Sequence, residues 1–160
     1  GVIVPWQMYQ QYGDVRILEQ HYASMIAYID NYDRRAVRYV QPFGGFGDWL
    51  AIEPTNSMLT NTAYSAYDAL IMEQVAKRLG KDADQRRFRT FYENVKRSFN
   101  DLFVNEEGRT FAPTVESIFG KDSQVGMWPG TAATEAKIVD TQTSYVVPLQ
   151  FDLLNEKNTT

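Results

Sequence analysis

Apolar residues recur at helical spacing along most of the chain, and few segments alternate at the period of a strand. The first stretch, 4–12, has Pro5 where a first helical turn tolerates it and stops at Gly13, which predicts a short helix. Val15, Leu18, Tyr22, Met25, Ile26 and Ile29 then fall at steps of three and four, forming the stripe of a second helix with Asp14 placed to cap it. A third helix is predicted over 58–79, with Asn56 or Ser57 as cap and Gly80 as stop. A fourth opens at Asp82 and carries the clearest stripe: Phe88, Phe91, Tyr92, Val95, Phe99, Leu102 and Phe103. Beyond the turn residues Asn105 to Gly108 neither period is sustained, and 109–140 reads as an irregular excursion with a small hairpin. A last helix is predicted over 141–154, with Tyr145, Val146, Leu149 and Leu153 on one face and Pro148 kinking it. The expected class is all-α: antiparallel helical hairpins in one domain over 1–160, interrupted by the excursion at about 105–140.

Composition narrows the class of function. Hydrophobic residues make up 44% and aromatic residues 14%, enough apolar surface to drive folding. Lys and Arg number 16 against 20 Asp and Glu, a net charge of −4, which argues against nucleic-acid binding through a general positive field. No apolar run is long enough to predict a helical membrane span. The absence of cysteine removes disulfides, thiolate zinc sites and thiol nucleophiles together, and leaves the redox compartment unassigned. The lone histidine, His21, beside an apolar stripe, reads as a hydrogen-bonded, half-buried helix residue. Glu73 with Lys77 and Glu93 with Arg97 stand four apart, in the order that supports an exposed helix face. Gly1 is no initiator Met and the residues after Asn155 close no element, so a piece of a longer protein is expected.

The chemistry concentrates between the second and third helices, at Pro42-Phe43-Gly44-Gly45-Phe46-Gly47-Asp48-Trp49-Leu50. Three glycines allow sharp turns or close backbone approach. A sugar offers apolar C–H faces and hydroxyl edges, which a flat aromatic such as Trp49 and an acceptor carboxylate such as Asp48 match. The same residues also fit a purely structural role, with Trp49 plugging the end of the core and Asp48 capping a turn. No Gly-Lys-Ser/Thr follows the glycines, so they form no phosphate loop.

A resemblance sharpens this reading. Val4-Pro5-Trp6-Gln7-Met8-Tyr9-Gln10-Gln11-Tyr12-Gly13-Asp14 and Leu18-Glu19-Gln20-His21-Tyr22-Ala23-Ser24-Met25 resemble the catalytic domain of bacterial α-L-rhamnosidases, glycoside hydrolase family 78. The likeness continues at Gly47-Asp48-Trp49-Leu50, Thr62-Ala63-Tyr64, Ala76-Lys77-Arg78-Leu79-Gly80-Lys81, Ser98-Phe99-Asn100 and Gln142-Thr143-Ser144-Tyr145. It implies an (α/α)6 barrel, of which this chain supplies about five helices. It also implies inverting hydrolysis of terminal α-L-rhamnosides with no metal or other cofactor in the chemistry. The family's acid lies in an Asp-Glu-Arg-x-Gly-Trp stretch before this segment and its base in a Trp-Glu-Arg-Trp stretch after it; neither stretch occurs in 1–160. No catalytic residue is therefore expected here, and the isolated chain is expected to be inactive. Trp49 matches the tryptophan that lines the rhamnose pocket, Asp48 is a candidate hydroxyl acceptor beside it, and Trp6 and Tyr9 match structural positions near the start of a barrel helix. The partners implied are L-rhamnose glycosides; helix faces left open by a cut barrel predict self-association. A non-catalytic sugar-binding module and a helical protein-interaction module are the rival readings.

Overall fold

The computed structural model describes residues 1–41, 47, 48, 50–121 and 136–155. In chain order the elements are α1 (Ile3–Tyr12), α2 (Arg16–Arg35), α3 (Ser57–Arg78), α4 (Asp82–Phe103), β1 (Phe111–Ala112), α5 (Val115–Phe119), β2 (Lys137–Ile138) and α6 (Gln142–Gln150). None of the described helices is long and apolar enough to cross a membrane.

The helix ends follow local chemistry. Gly13 closes α1 in the left-handed region (φ 71°), its N–H donating to the Tyr9 carbonyl at 2.8 Å. Asp14 acts one position earlier than expected: Val15 is the cap residue of α2, while the Asp14 carboxylate accepts from the Arg16 N–H at 3.0 Å and from its guanidinium. The Asn56 side chain caps α3, accepting from the Leu59 N–H at 3.2 Å. Lys81 is the cap residue of α4, so Asp82 sits inside its first turn, where a carboxylate still favours the positive end of the helix dipole.

The α3–α4 hairpin is the spine of the structure and its most extensive helix contact. Nearly every face of α3 is covered, and small residues there (Ala63, Ser65, Ala66, Ala69, Ala76) let neighbouring backbones approach. A helix buried all round belongs to the interior of a larger assembly of elements. By contrast α4 is amphipathic, burying Phe88, Phe91, Tyr92, Val95, Phe99 and Phe103, while Leu102 is only partly covered. Helix α2 lays Leu18, Tyr22, Met25 and Ile29 onto this core, and Tyr22 Oη donates to Asp84 of α4 at 2.7 Å. His21 falls off that arc and is exposed, contrary to the half-buried expectation. Glu73 and Glu93 both reach Arg89, at 3.6 and 2.7 Å.

Two expectations need correction at the C-terminal side. The excursion does contain an antiparallel hairpin, Phe111 opposite Ile138 and Ala112 opposite Lys137, but also a further helix, α5, which is too short to show a period. Residues 122–135 of it lie outside the described residues. Helix α6 ends at Gln150, and its buried residues are Ser144 and Pro148; Val146 and Leu149 are 56% and 51% exposed. Ser144 Oγ bonds the hairpin at Val139 and Thr110, and Val146 and Leu149 stand exposed on the same helix. The segment after α6 returns to α4, where Tyr92 Oη donates to the Asp152 carbonyl at 2.6 Å and Asn100 Nδ2 to that of Leu153 at 2.7 Å.

Candidate functional site

Of the aromatic and glycine loop singled out by the sequence, residues 42–46 and Trp49 lie outside the described residues; Gly47, Asp48 and 50–55 are described. The chain turns tightly at Asp48, whose carbonyl accepts from the Ala51 N–H at 2.9 Å. Gly47 (φ 58°) and Leu50 (φ 71°) both stand in the left-handed region. For leucine that conformation is strained, and strained backbone persists only where surrounding bonds over-determine it.

Those bonds come from the Asp48 side chain. Its Oδ1 accepts from the Thr55 N–H at 3.0 Å, and its Oδ2 accepts from the Thr55 hydroxyl at 2.6 Å. Partial burial pushes this carboxyl upward, but hydrogen bonds from Thr55 and from the Thr143 side chain outweigh it and hold the group below its ordinary value. Thr55, 1% exposed, continues the chain of bonds: its hydroxyl lies 2.5 Å from that of Thr141, the cap residue of α6. Since Thr55 donates to Asp48, Thr141 donates to Thr55, and the Thr141 oxygen accepts the Ser144 N–H at 3.2 Å. Ser144 Oγ in turn accepts from the Thr110 hydroxyl at 2.8 Å. These bonds tie the turn at Asp48 to the start of α6 by paired hydroxyls, and on to the β1–β2 pair through the backbone N–H and side chain of Ser144.

Neither Thr55 nor Thr141 stands out in the sequence, and 86 positions separate them. A helix start near Thr141 is legible from the residues, but the pairing of Thr141 with Thr55 is decided by the packing of α6 against α3. Nearby on the surface, Asp140 accepts from Tyr145 Oη at 2.5 Å and pairs with Arg109, and these bonds lower its carboxyl below the usual range. Among the described residues no group of three or more His, Asp or Glu side chains is arranged to hold a metal ion. A separate hollow of about 370 Å³ lies where α4 ends beside α5, lined by Arg38, Asp101, Glu106 and Ile118 among others, and no residue of 47–55 lines it.

Residues 1–160, the whole chain, match the family described as the bacterial alpha-L-rhamnosidase 6 hairpin glycosidase domain. The chain belongs to that family. This rhamnosidase-family segment is 29% identical over 164 aligned residues to an alpha-L-rhamnosidase of Formosa agariphila, covering 98% of this chain and 15% of that protein. It is 30% identical over 115 residues to one of Streptomyces avermitilis, covering 71% of this chain and 11% of that protein. The crystal structure of the Streptomyces avermitilis alpha-L-rhamnosidase complexed with L-rhamnose superposes with a TM-score of 0.75 at 25% identity, over 98% of this chain and 12% of that one. The alpha-L-rhamnosidase from Dictyoglumus thermophilum gives 0.74 at 26% identity, over 99% and 16%. The chain therefore spans about a seventh of the length of the relatives it matches, and its helical hairpins are part of a six-hairpin glycosidase domain.

Proposed function

We propose that this chain is a segment of the catalytic domain of an α-L-rhamnosidase, an enzyme that hydrolyses terminal α-L-rhamnosides with inversion at the anomeric carbon. The observation that carries the reading is the family match over residues 1–160. Inversion uses two carboxyl groups on opposite faces of the sugar, one protonating the leaving oxygen while the other activates a water. Neither motif that resemblance assigns to those groups occurs in this sequence, so both come from elsewhere in the polypeptide and the isolated chain does not turn over.

The part played here is to build and present a wall of the sugar site. Trp49 stacks on the apolar C–H face of the rhamnose ring, and its neighbour Asp48 holds the adjoining backbone through Thr55. The acceptor role first expected of Asp48 competes with that task, since both its carboxylate oxygens already accept from Thr55. Partners are rhamnose-terminated glycosides, with no metal or cofactor in the reaction. The exposed row Val4, Met8 and Tyr12 on α1, 64%, 42% and 74% exposed, together with Val146 and Leu149 on α6, seats further helices of the domain. Taken alone, the chain self-associates through these faces.

The test uses the longer enzyme that contains this segment and an aryl α-L-rhamnoside. Trp49→Ala is expected to raise KM by about tenfold or more, the scale of a lost aromatic stacking contact with its burial, and NMR is expected to show β-L-rhamnose as the first product. First-formed α-L-rhamnose refutes inversion. An unchanged KM refutes the role of Trp49, and hydrolysis by the purified 160-residue chain refutes its inactivity.

A further inference from the structure

The rhamnosidase reading assigns the turn at 47–55 to the sugar site but leaves open what holds it there. Three observations bear on that. Leu50, 89% exposed, has no packing of its own to hold its left-handed backbone. Asp48, partly buried, directs its carboxylate to Thr55 and to the Thr143 side chain in the first turn of α6. The Thr55 hydroxyl, buried, has one donor proton and gives it to Asp48, so its contact with Thr141 runs the other way. The three side chains form a relay with a single consistent direction, Thr141 to Thr55 to Asp48, ending on a negative charge at the N-terminal turn of α6. Hydrogen bonds that end on a charge are about twice as strong as neutral ones, and the dipole of α6 adds to the attraction.

We propose that Asp48, Thr55 and Thr141 are positioning residues for the rhamnose site: their relay fixes the strained turn of the sugar loop against the first turn of α6. At Thr141 the relay meets α6 itself, whose Ser144 N–H donates to the Thr141 hydroxyl and whose Ser144 side chain bonds Thr110 beside β1. This rests on the proposed sugar contact of the loop. It replaces direct recognition of a sugar hydroxyl by Asp48 with an indirect role, and it gives a function to two threonines 86 positions apart.

The experiment compares Asp48→Asn, Thr55→Val, Thr55→Ser and Thr141→Val in the full-length enzyme. The readouts are kcat and KM on an aryl α-L-rhamnoside, the inhibition constant of free L-rhamnose, and the thermal midpoint. Positioning predicts that Asp48→Asn, Thr55→Val and Thr141→Val each raise KM and the rhamnose inhibition constant together, by about tenfold, as expected for losing a hydrogen bond in a chain ending on a charge. Thr55→Ser, which keeps the hydroxyl, restores both to within about twofold of wild type, and the double variant Asp48→Asn/Thr55→Val is no worse than the poorer single one. A lowered thermal midpoint with unchanged KM and inhibition constant in Thr55→Val and Thr141→Val means a structural bond only, and overturns the proposal. Loss of rhamnose binding in Asp48→Asn alone restores Asp48 as the direct hydroxyl acceptor, which also overturns it. Should Thr55→Val fail to fold, Thr141→Val and Asp48→Asn carry the same expectation. A wild-type enzyme that neither hydrolyses nor binds rhamnosides overturns the function itself; an active wild type with silent threonine variants overturns only the relay.

Discussion

Asp68 offers the sharpest test of the energetics of this fold. It sits on α3 among core residues, 4% exposed, and among the described residues its Oδ1 has no hydrogen-bond partner. Burial pushes its carboxyl from the ordinary 3.8 up to about 7. The unfolded chain loses this proton near pH 4, whereas the folded chain keeps it to about 7. Folding therefore takes up a proton in that window, and the stability contributed is complete below the lower value and lost as pH rises through the upper one. A carboxyl displaced that far is worth about 4 kcal/mol between the extremes, of which about 2–3 kcal/mol falls between pH 5 and 8. Asp68→Asn keeps the shape and removes the titration. Urea unfolding followed by far-UV circular dichroism at pH 5, 6, 7 and 8 is expected to show the variant gaining on the wild type by that amount as pH rises. Other carboxylates titrate equally in both proteins and cancel in the difference. Stability curves that run parallel across this range, within about 0.5 kcal/mol, would refute a buried protonated Asp68.

Three further outcomes test the fold. Phe99→Ala removes a fully buried ring that lies 5.2 Å from Phe103, and is expected to cost about 3–5 kcal/mol by chemical denaturation. A loss under about 1 kcal/mol would mean that the buried face of α4 is loosely packed. Gly13→Ala meets no atom within 4 Å, so its cost is backbone strain alone at φ +71°, about 1 kcal/mol in the same assay. Self-association of the isolated chain is expected by light scattering and is expected to weaken in Met8→Lys/Tyr12→Lys, because both residues lie on the exposed row of α1; a monodisperse wild-type monomer at high concentration would refute it.

Much of the candidate site was legible as residues and little of it as geometry. The Gly-Asp-Trp loop stood out by composition, which left a structural plug and a sugar contact both open; the family likeness is what favoured the contact. What Asp48 binds was not legible: its partner Thr55 lies seven positions on and shows no pattern of its own. The broken periodicity after α4 marked the excursion because it is local, but the pairing of Phe111 with Ile138 across α5 is a tertiary contact, and α5 escaped because five residues complete too few turns to reveal a face.

The sequence by itself determined the long helices, their caps at Gly13 and Asn56, and the stripe of α4, because each depends on side chains within one or two turns of one another. It also carried the family likeness, which is a property of residue order. Only the tertiary structure decided which face of α6 meets the described core: Ser144 turns inward and bonds Thr110, while Val146 and Leu149 stand on the face proposed to seat further helices. A buried hydroxyl must find a partner or lose the free energy of its hydration. The bonds among Thr55, Thr141, Ser144 and Thr110 meet that requirement, and residues so far apart in sequence come together only once the chain has folded.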